Sequence, residues 1–198
     1  MEKYQGVKFG YRCTGNCFDR TDKQLTTLNR WAYLFSQLGL TPVHSEGAYG
    51  NQSCRTGPSS FFITKSGMVP TEELSEDNFC HIIGFDIASN TFITEGTSAP
   101  SSESLLHYLI YQSHPQINAV LHGHSTLFLK HASTLNIPTT KHFHPYGTRE
   151  LAESALAIMD DATEFFILRD HGFVALGKDI EEAGRLTLDF FTKLIVII

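Results

Sequence analysis

The stretch "NAVLHGHSTLF", Asn118 to Phe128, sets His122 and His124 two residues apart behind an apolar run. In a β-strand, side chains at i and i+2 point to one face, so both imidazoles would stand side by side with Gly123 turned away. Such a pair is either two metal ligands or two polar residues at a strand end. A catalytic metal centre wants about three protein ligands and an open position. The third candidate is His171 in "LRDHGFVALG", where a strand meets a turn at Gly172. Taken alone, His171 could equally be a hydrogen-bonded turn histidine.

Three further segments are rich in small donors. "TSAPSSESLLH" puts Ser101 and Ser102 at a helix start with Glu103 in the first turn, which is an anion-binding arrangement or ordinary capping. "YGNQS" supplies Gly50, Asn51 and Ser53, and "ITKSG" supplies Thr64, Ser66 and Gly67 beside Lys65. Such turns can cradle a phosphate through amides and hydroxyls. They are also what turns generally look like.

These residues must be held by the elements between them. "DKQLTTLNRWAYLFSQLG" repeats Leu25, Leu28, Ala32, Phe35 and Leu38 at helical spacing, with Thr21 or Asp22 as N-cap and Gly39 as stop. From Thr41 to Cys80 short apolar pieces alternate with Gly, Ser and Pro, the texture of strands and tight turns. "CHIIGFDIASNTFITEG" reads as a hairpin turning near "SN". "SESLLHYLIYQSHP" reads as a helix capped by Ser101 or Ser102 and closed before Pro115. A helix start near "TLFLKHASTLN", a second amphipathic helix at "TRELAESALAIMDD", two short strands around a turn in "EFFILRDHGFVALG" and a last helix from near Asp179 complete the chain. Helices interleave with strands and no linker divides them, so 1–198 reads as one α/β domain.

At 198 residues the chain can bury a substantial core. Its net charge is −6 and its 15 Lys and Arg are scattered, which argues against nucleic acid as the main partner. "CTGNC" has no second pair to complete a zinc-finger pattern, so the four cysteines read as reduced thiols. "MEKYQGVKFGYR" has no apolar signal core, and the closing "LIVII" is too short to span a bilayer. The expectation is a cytoplasmic protein without membrane partners.

The ordered pieces "GNxS", "T-x-S-G", "PSSE", "HGHS" and "DHG-x-x-x-x-G" together resemble the class II aldolase/adducin family over nearly the whole chain. "HYLIYQSHPQINAVLHGHS" and "IPTTKHFHPYGTRELAESAL" extend the likeness. The resemblance implies a three-layer α/β/α fold around a mixed, mostly antiparallel sheet, and a homotetramer. It also implies one divalent metal per subunit, usually Zn2+, held by His122, His124 and His171, with Glu103 as the catalytic carboxylate. Asn51, Ser66, Gly67, Ser101 and Ser102 match positions binding a substrate phosphate, and Gly50 and Thr64 adjoin them. The implied activity is retro-aldol cleavage of a sugar phosphate through a zinc-stabilised enediolate. A sugar-phosphate 4-epimerase, a dehydratase, and an adducin-like module without a metal site share the fold.

The chain departs from the family at three points. Family aldolases bring a tyrosine from a neighbouring subunit after the histidine pair, where "KHFHPYG" offers Phe143, His144 or Tyr146. Some members use a tyrosine in a C-terminal tail, which has no counterpart after "LIVII". Asp170 stands where an asparagine is expected.

Overall fold

A strand covered on both faces carries apolar side chains at every position, each alternate one facing a different layer. "FFIL" and "FVAL" have that character, and in a computed structural model of the chain they form two paired strands at one side of a single sheet, buried along their whole length. Residues 6–197 apart from Arg20 and Glu46 are described; Met1–Gln5 of the amino-terminal stretch and Ile198 of the apolar end lie outside the described residues.

The strands are β1 (Gly10–Cys13), β2 (Val43–His44), β3 (Gly47–Ala48), β4 (Gly50–Gly57), β5 (Ser60–Thr64), β6 (Phe79–Asp86), β7 (Thr91–Glu95), β8 (Ala119–Gly123), β9 (Phe165–Leu168) and β10 (Gly172–Gly177). The helices are α1 (Lys23–Gln37), α2 (Ser104–Ser113), α3 (Thr126–His131), α4 (Arg149–Leu156) and α5 (Ile180–Ile197). Eight strands form one sheet in the order β1-β7-β6-β5-β4-β8-β10-β9, and β2 pairs with β3 alone. Among the described residues β1 with β7 is the one parallel pair of strands in the large sheet, so the sheet is mixed and mostly antiparallel.

The alternation sorts the core into two halves. Ala119, Leu121, Phe165, Ile167, Phe173 and Ala175 face Leu25, Leu28, Trp31 and Phe35 of α1 and Ala183 of α5. Val120, Phe166, Leu168, Val174 and Leu176 face Leu105, Leu106 and Ile110 of α2 and Leu151 and Ala155 of α4. This is the three-layer α/β/α architecture.

Local chemistry sets the ends of these elements. The Asp22 carboxylate caps α1 by accepting from the Gln24 amide at 2.8 Å, and the chain leaves the helix at Gly39 with φ +69°. The β6–β7 hairpin turns over residues 87–90, where the Asp86 carboxylate accepts from the Ala88 amide and the Ser89 hydroxyl. Ser125 caps α3 and Thr148 caps α4.

One contact pins α1 to α5. A Cβ on Gly184 would stand 2.3 Å from Trp31 Cε2. Replacing a helical glycine by alanine ordinarily stabilises by about 0.5–1 kcal/mol. Here overpacking against a rigid indole costs about 1–3 kcal/mol and reverses the sign. Gly184→Ala should therefore lower the urea midpoint with an unchanged m-value; a raised midpoint would show that the two helices can part without cost.

Candidate metal centre and cleft

The C-terminal end of β8 is the anchor. His122 sits opposite Asn51 of β4 on one side and Val174 of β10 on the other. Its Nδ1 lies 2.7 Å from the Phe173 carbonyl. A carbonyl only accepts, so Nδ1 carries the proton and Nε2 presents a lone pair. His124 lies one residue beyond the end of β8, yet its Nε2 is 3.1 Å from that of His122. The pair converges although only one member is in the strand.

His171 arrives from the β9–β10 turn, where Asp170 takes a left-handed conformation, φ +55°, that aspartate tolerates. Gly172 lets this turn close: a Cβ there would lie 2.4 Å from the Gly123 carbonyl oxygen and 2.8 Å from His122 Cε1. The "DHG" glycine is thus needed for close approach of His171 to the pair, beyond marking a turn.

Glu103 is not in the first turn of α2, and Ser101 or Ser102 is not its N-cap. Glu103 itself is the N-cap residue, and its carboxylate makes no capping hydrogen bond. It turns inward instead, with Oε2 3.0 Å from His122 Nε2 and Oε1 2.9 Å from His171 Nε2. Asn51 Nδ2 donates to Oε2 at 2.9 Å. One ligand atom each from Glu103, His122, His124 and His171 all lie within 4.8 Å of one another.

Burial would push the Glu103 carboxyl up, but the charges of His122 and His171 outweigh it and hold it well below the carboxylate range. Burial pushes His122 down, yet the Glu103 charge raises it overall. Burial, then the neighbouring imidazoles, drive His124 well below its ordinary value.

The donor set fits a metal ion. His171 Nε2 and Glu103 Oε1 lie 2.9 Å apart but form no hydrogen bond, and both are buried without a partner. His122 Nε2 likewise turns a lone pair toward a carboxylate oxygen and a second imidazole nitrogen. Acceptors brought this close repel unless a proton or a cation lies among them. Three imidazoles can hold a divalent ion and leave a coordination position facing the cleft.

That cleft is lined by Gly50, Asn51, Ser66, Gly67, Ser101, Ser102, Glu103, His124 and His171 among the residues named from sequence. His122 is fully buried behind them. Thr64 adjoins the cleft from inside the sheet: its hydroxyl accepts from the Gln52 amide and its carbonyl from the Ser101 amide. The Ser66 amide is also committed, to the Ala99 carbonyl.

Several lining residues were not singled out from sequence. Tyr49 stacks on His124 with ring centroids 5.4 Å apart and on His44 at 4.1 Å. Lys65 is the one Lys or Arg among the lining residues. Its position between Thr64 and Ser66 was the available signal. Phe143 and Tyr146 of "KHFHPYG" both line the cleft of their own chain, whereas His144 does not.

Three imidazoles and a carboxylate at one end of a covered mixed sheet define a class of α/β proteins with a metal-centre-and-cleft site. Residues 29–190 match the family described as class II aldolase and adducin N-terminal domain, and the chain belongs to this family. It is 34% identical over 151 residues to an L-fuculose phosphate aldolase of Methanococcus maripaludis, covering 69% of this chain and 77% of that protein. An L-fuculose phosphate aldolase of Escherichia coli K12 is 33% identical over 165 residues, 75% of this chain and 70% of that one. Among solved structures, an L-fuculose 1-phosphate aldolase superposes with a TM-score of 0.70 at 22% identity, covering 90% and 87% of the two chains. The fold is thus that of the class II aldolases.

His122→Ala or His171→Ala should lose stoichiometric metal by elemental analysis, whereas Glu103→Gln keeps it on three imidazoles. Full metal in His171→Ala would remove that residue from the ligand set. Because Glu103 raises His122, a second proton on that imidazole competes with a cation more strongly as the pH falls. Uptake should therefore be weaker, and release more protons, at about pH 6 than at about pH 8.

Proposed function

We propose that the chain is a metal-dependent aldolase, a lyase that cleaves a sugar phosphate by retro-aldol chemistry. The observation that carries the reading is the buried, hydrogen-bond-unsatisfied meeting of Glu103 Oε1 and His171 Nε2 at the wall of a donor-lined cleft. A divalent ion on His122, His124 and His171, zinc by its preference for imidazole nitrogen, supplies the positive charge that brings a weak carbon acid within reach of a carboxylate base.

Everything else falls to the chain's own groups. Asn51, Ser66, Gly67, Ser101 and Ser102 hold the phosphate. Since the Ser66 and Ser101 amides are tied into the backbone, side-chain hydroxyls and the Lys65 ammonium carry more of that contact than amides do. Binding the phosphate fixes the reacting carbon beside Glu103, so remote contacts support the chemistry. In the condensation direction Glu103 takes the proton from the carbon next to the carbonyl; in cleavage the C–C bond breaks as the substrate hydroxyl gives up its proton to become the aldehyde, and Glu103 relays that proton to the carbon left behind. Phe143 and Tyr146 form the wall that the departing aldehyde meets.

The assembly is a homotetramer, a reading supported by the family and by exposed Ile195, Val196 and Ile197 at the end of α5. The four cysteines are free thiols, which supports a reducing, cytoplasmic setting. Among the described residues no helix is long and apolar enough to cross a membrane.

The test is a panel of sugar phosphates, L-fuculose 1-phosphate first, assayed for aldehyde release, epimerisation and water loss. Aldehyde release dependent on added divalent metal is expected; epimerisation or dehydration alone would reassign the reaction. Glu103→Gln should retain metal and lose exchange of the substrate's α-proton with deuterium. Exchange at the normal rate in that variant would remove Glu103 from the role of base.

A further inference from the structure

His107 belongs to neither the ligand set nor the cleft wall, yet it is completely buried one helical turn after Glu103. Its Nδ1 lies 2.6 Å from Ser53 Oγ, and that hydroxyl lies 2.7 Å from the Tyr111 hydroxyl. Burial pushes the imidazole down to about 3, so the ring is neutral and carries a single proton.

The direction of this chain follows from where its protons can go. The buried Tyr111 O–H has Ser53 Oγ as its hydrogen-bond acceptor, and Ser53 then donates its own proton to His107 Nδ1. Reversing the chain strands the Tyr111 proton and leaves the His107 Nε2 lone pair unmatched as well. A stranded buried donor costs about 1–3 kcal/mol. The His107 proton is therefore on Nε2, a fully buried donor without a partner among the described residues.

Asn51 presents the complementary defect. A carboxylate only accepts, so Asn51 must turn its amide nitrogen to Glu103, and its Oδ1 is left buried and unmatched. Asn51 and Ser53 are two apart on β4 and share a face; Glu103 and His107 are four apart along α2 and share a face. Asn51 meets Glu103 and Ser53 meets His107, as two rungs of one seam. One rung lacks an acceptor and the other lacks a donor.

We infer that one buried water joins His107 Nε2–H to Asn51 Oδ1, so that Tyr111, Ser53, His107 and Asn51 form a hydrogen-bonded column that aims the Glu103 carboxylate. A buried water with several polar partners is an ordinary structural element. The column makes His107 a positioning residue for the proton-transfer step, and in this it rests on Glu103 acting as the base. It also gives Asn51 a duty toward Glu103 alongside any contact with phosphate.

The test uses the zinc-loaded protein. Histidine-selective 15N spectra should show His107 as the neutral Nε2–H tautomer between about pH 5 and 8. Ser53→Ala, which removes the donor to Nδ1, should turn that signal into a tautomer mixture. His107→Phe should lower kcat about ten- to a hundred-fold with KM and zinc stoichiometry unchanged, and His107→Gln, which keeps a donor, should recover part of the loss. An Nδ1–H tautomer in the parent protein, or a kcat for His107→Phe within about two-fold of the parent, overturns the proposal. Failure of every sugar phosphate would sink the aldolase reading, while the tautomer would still be read without turnover.

Discussion

Four acceptor-bearing side chains are forced together at one end of the sheet, and much of the surrounding structure exists to hold them there. Lone pairs on Glu103, His122, His124 and His171 within 4.8 Å repel one another unless a positive charge sits among them. Holding such a group requires rigid elements from several parts of the chain. β8 supplies His122 and leads into His124, the β9–β10 turn supplies His171, and the start of α2 supplies Glu103. The apolar layers on both faces of β8 and β10 keep these approaches fixed. The same burial lowers the effective dielectric, so each charge is felt strongly and the Glu103 and His122 protonation states become one coupled property.

Much of this was legible in sequence because it is written in local patterns. The helical repeat of Leu25, Leu28, Ala32 and Phe35 located α1 within a residue or two, and the "SN" hairpin formed as expected. Histidines separated by one residue at a strand end, and a third before a glycine, were recognisable as ligand candidates. Their convergence was not, since it depends on β8 pairing with β4 and β10, which lie far away in sequence.

The helix start at "PSSE" shows how local rules fail at a site. Serine is a good capping residue and glutamate favours a first turn, so the cap falls on Ser101 or Ser102 by propensity. The structure places Glu103 at the cap and turns its side chain away from the helix. The Asn51 amide, together with a positive charge shared with His122 and His171, holds the carboxylate there in place of a capping bond of about 1 kcal/mol. Tyr49 and His44 were silent for a different reason. Each is an ordinary loop or short-strand residue until the β2–β3 ribbon and the turn after β5 fold over the cleft.

The uncapped start of α2 has a consequence for how this protein can change. Position 103 is one where thermodynamic stability and chemistry pull in opposite directions. A serine or aspartate there would close the helix end and relieve the crowding of acceptors, yielding a sturdier protein without its acid–base group. Improvement schemes guided by folding alone would drift toward that inert form. Only selection on turnover keeps the glutamate, so a helix start left without its side-chain cap beside the cleft is a signature of use.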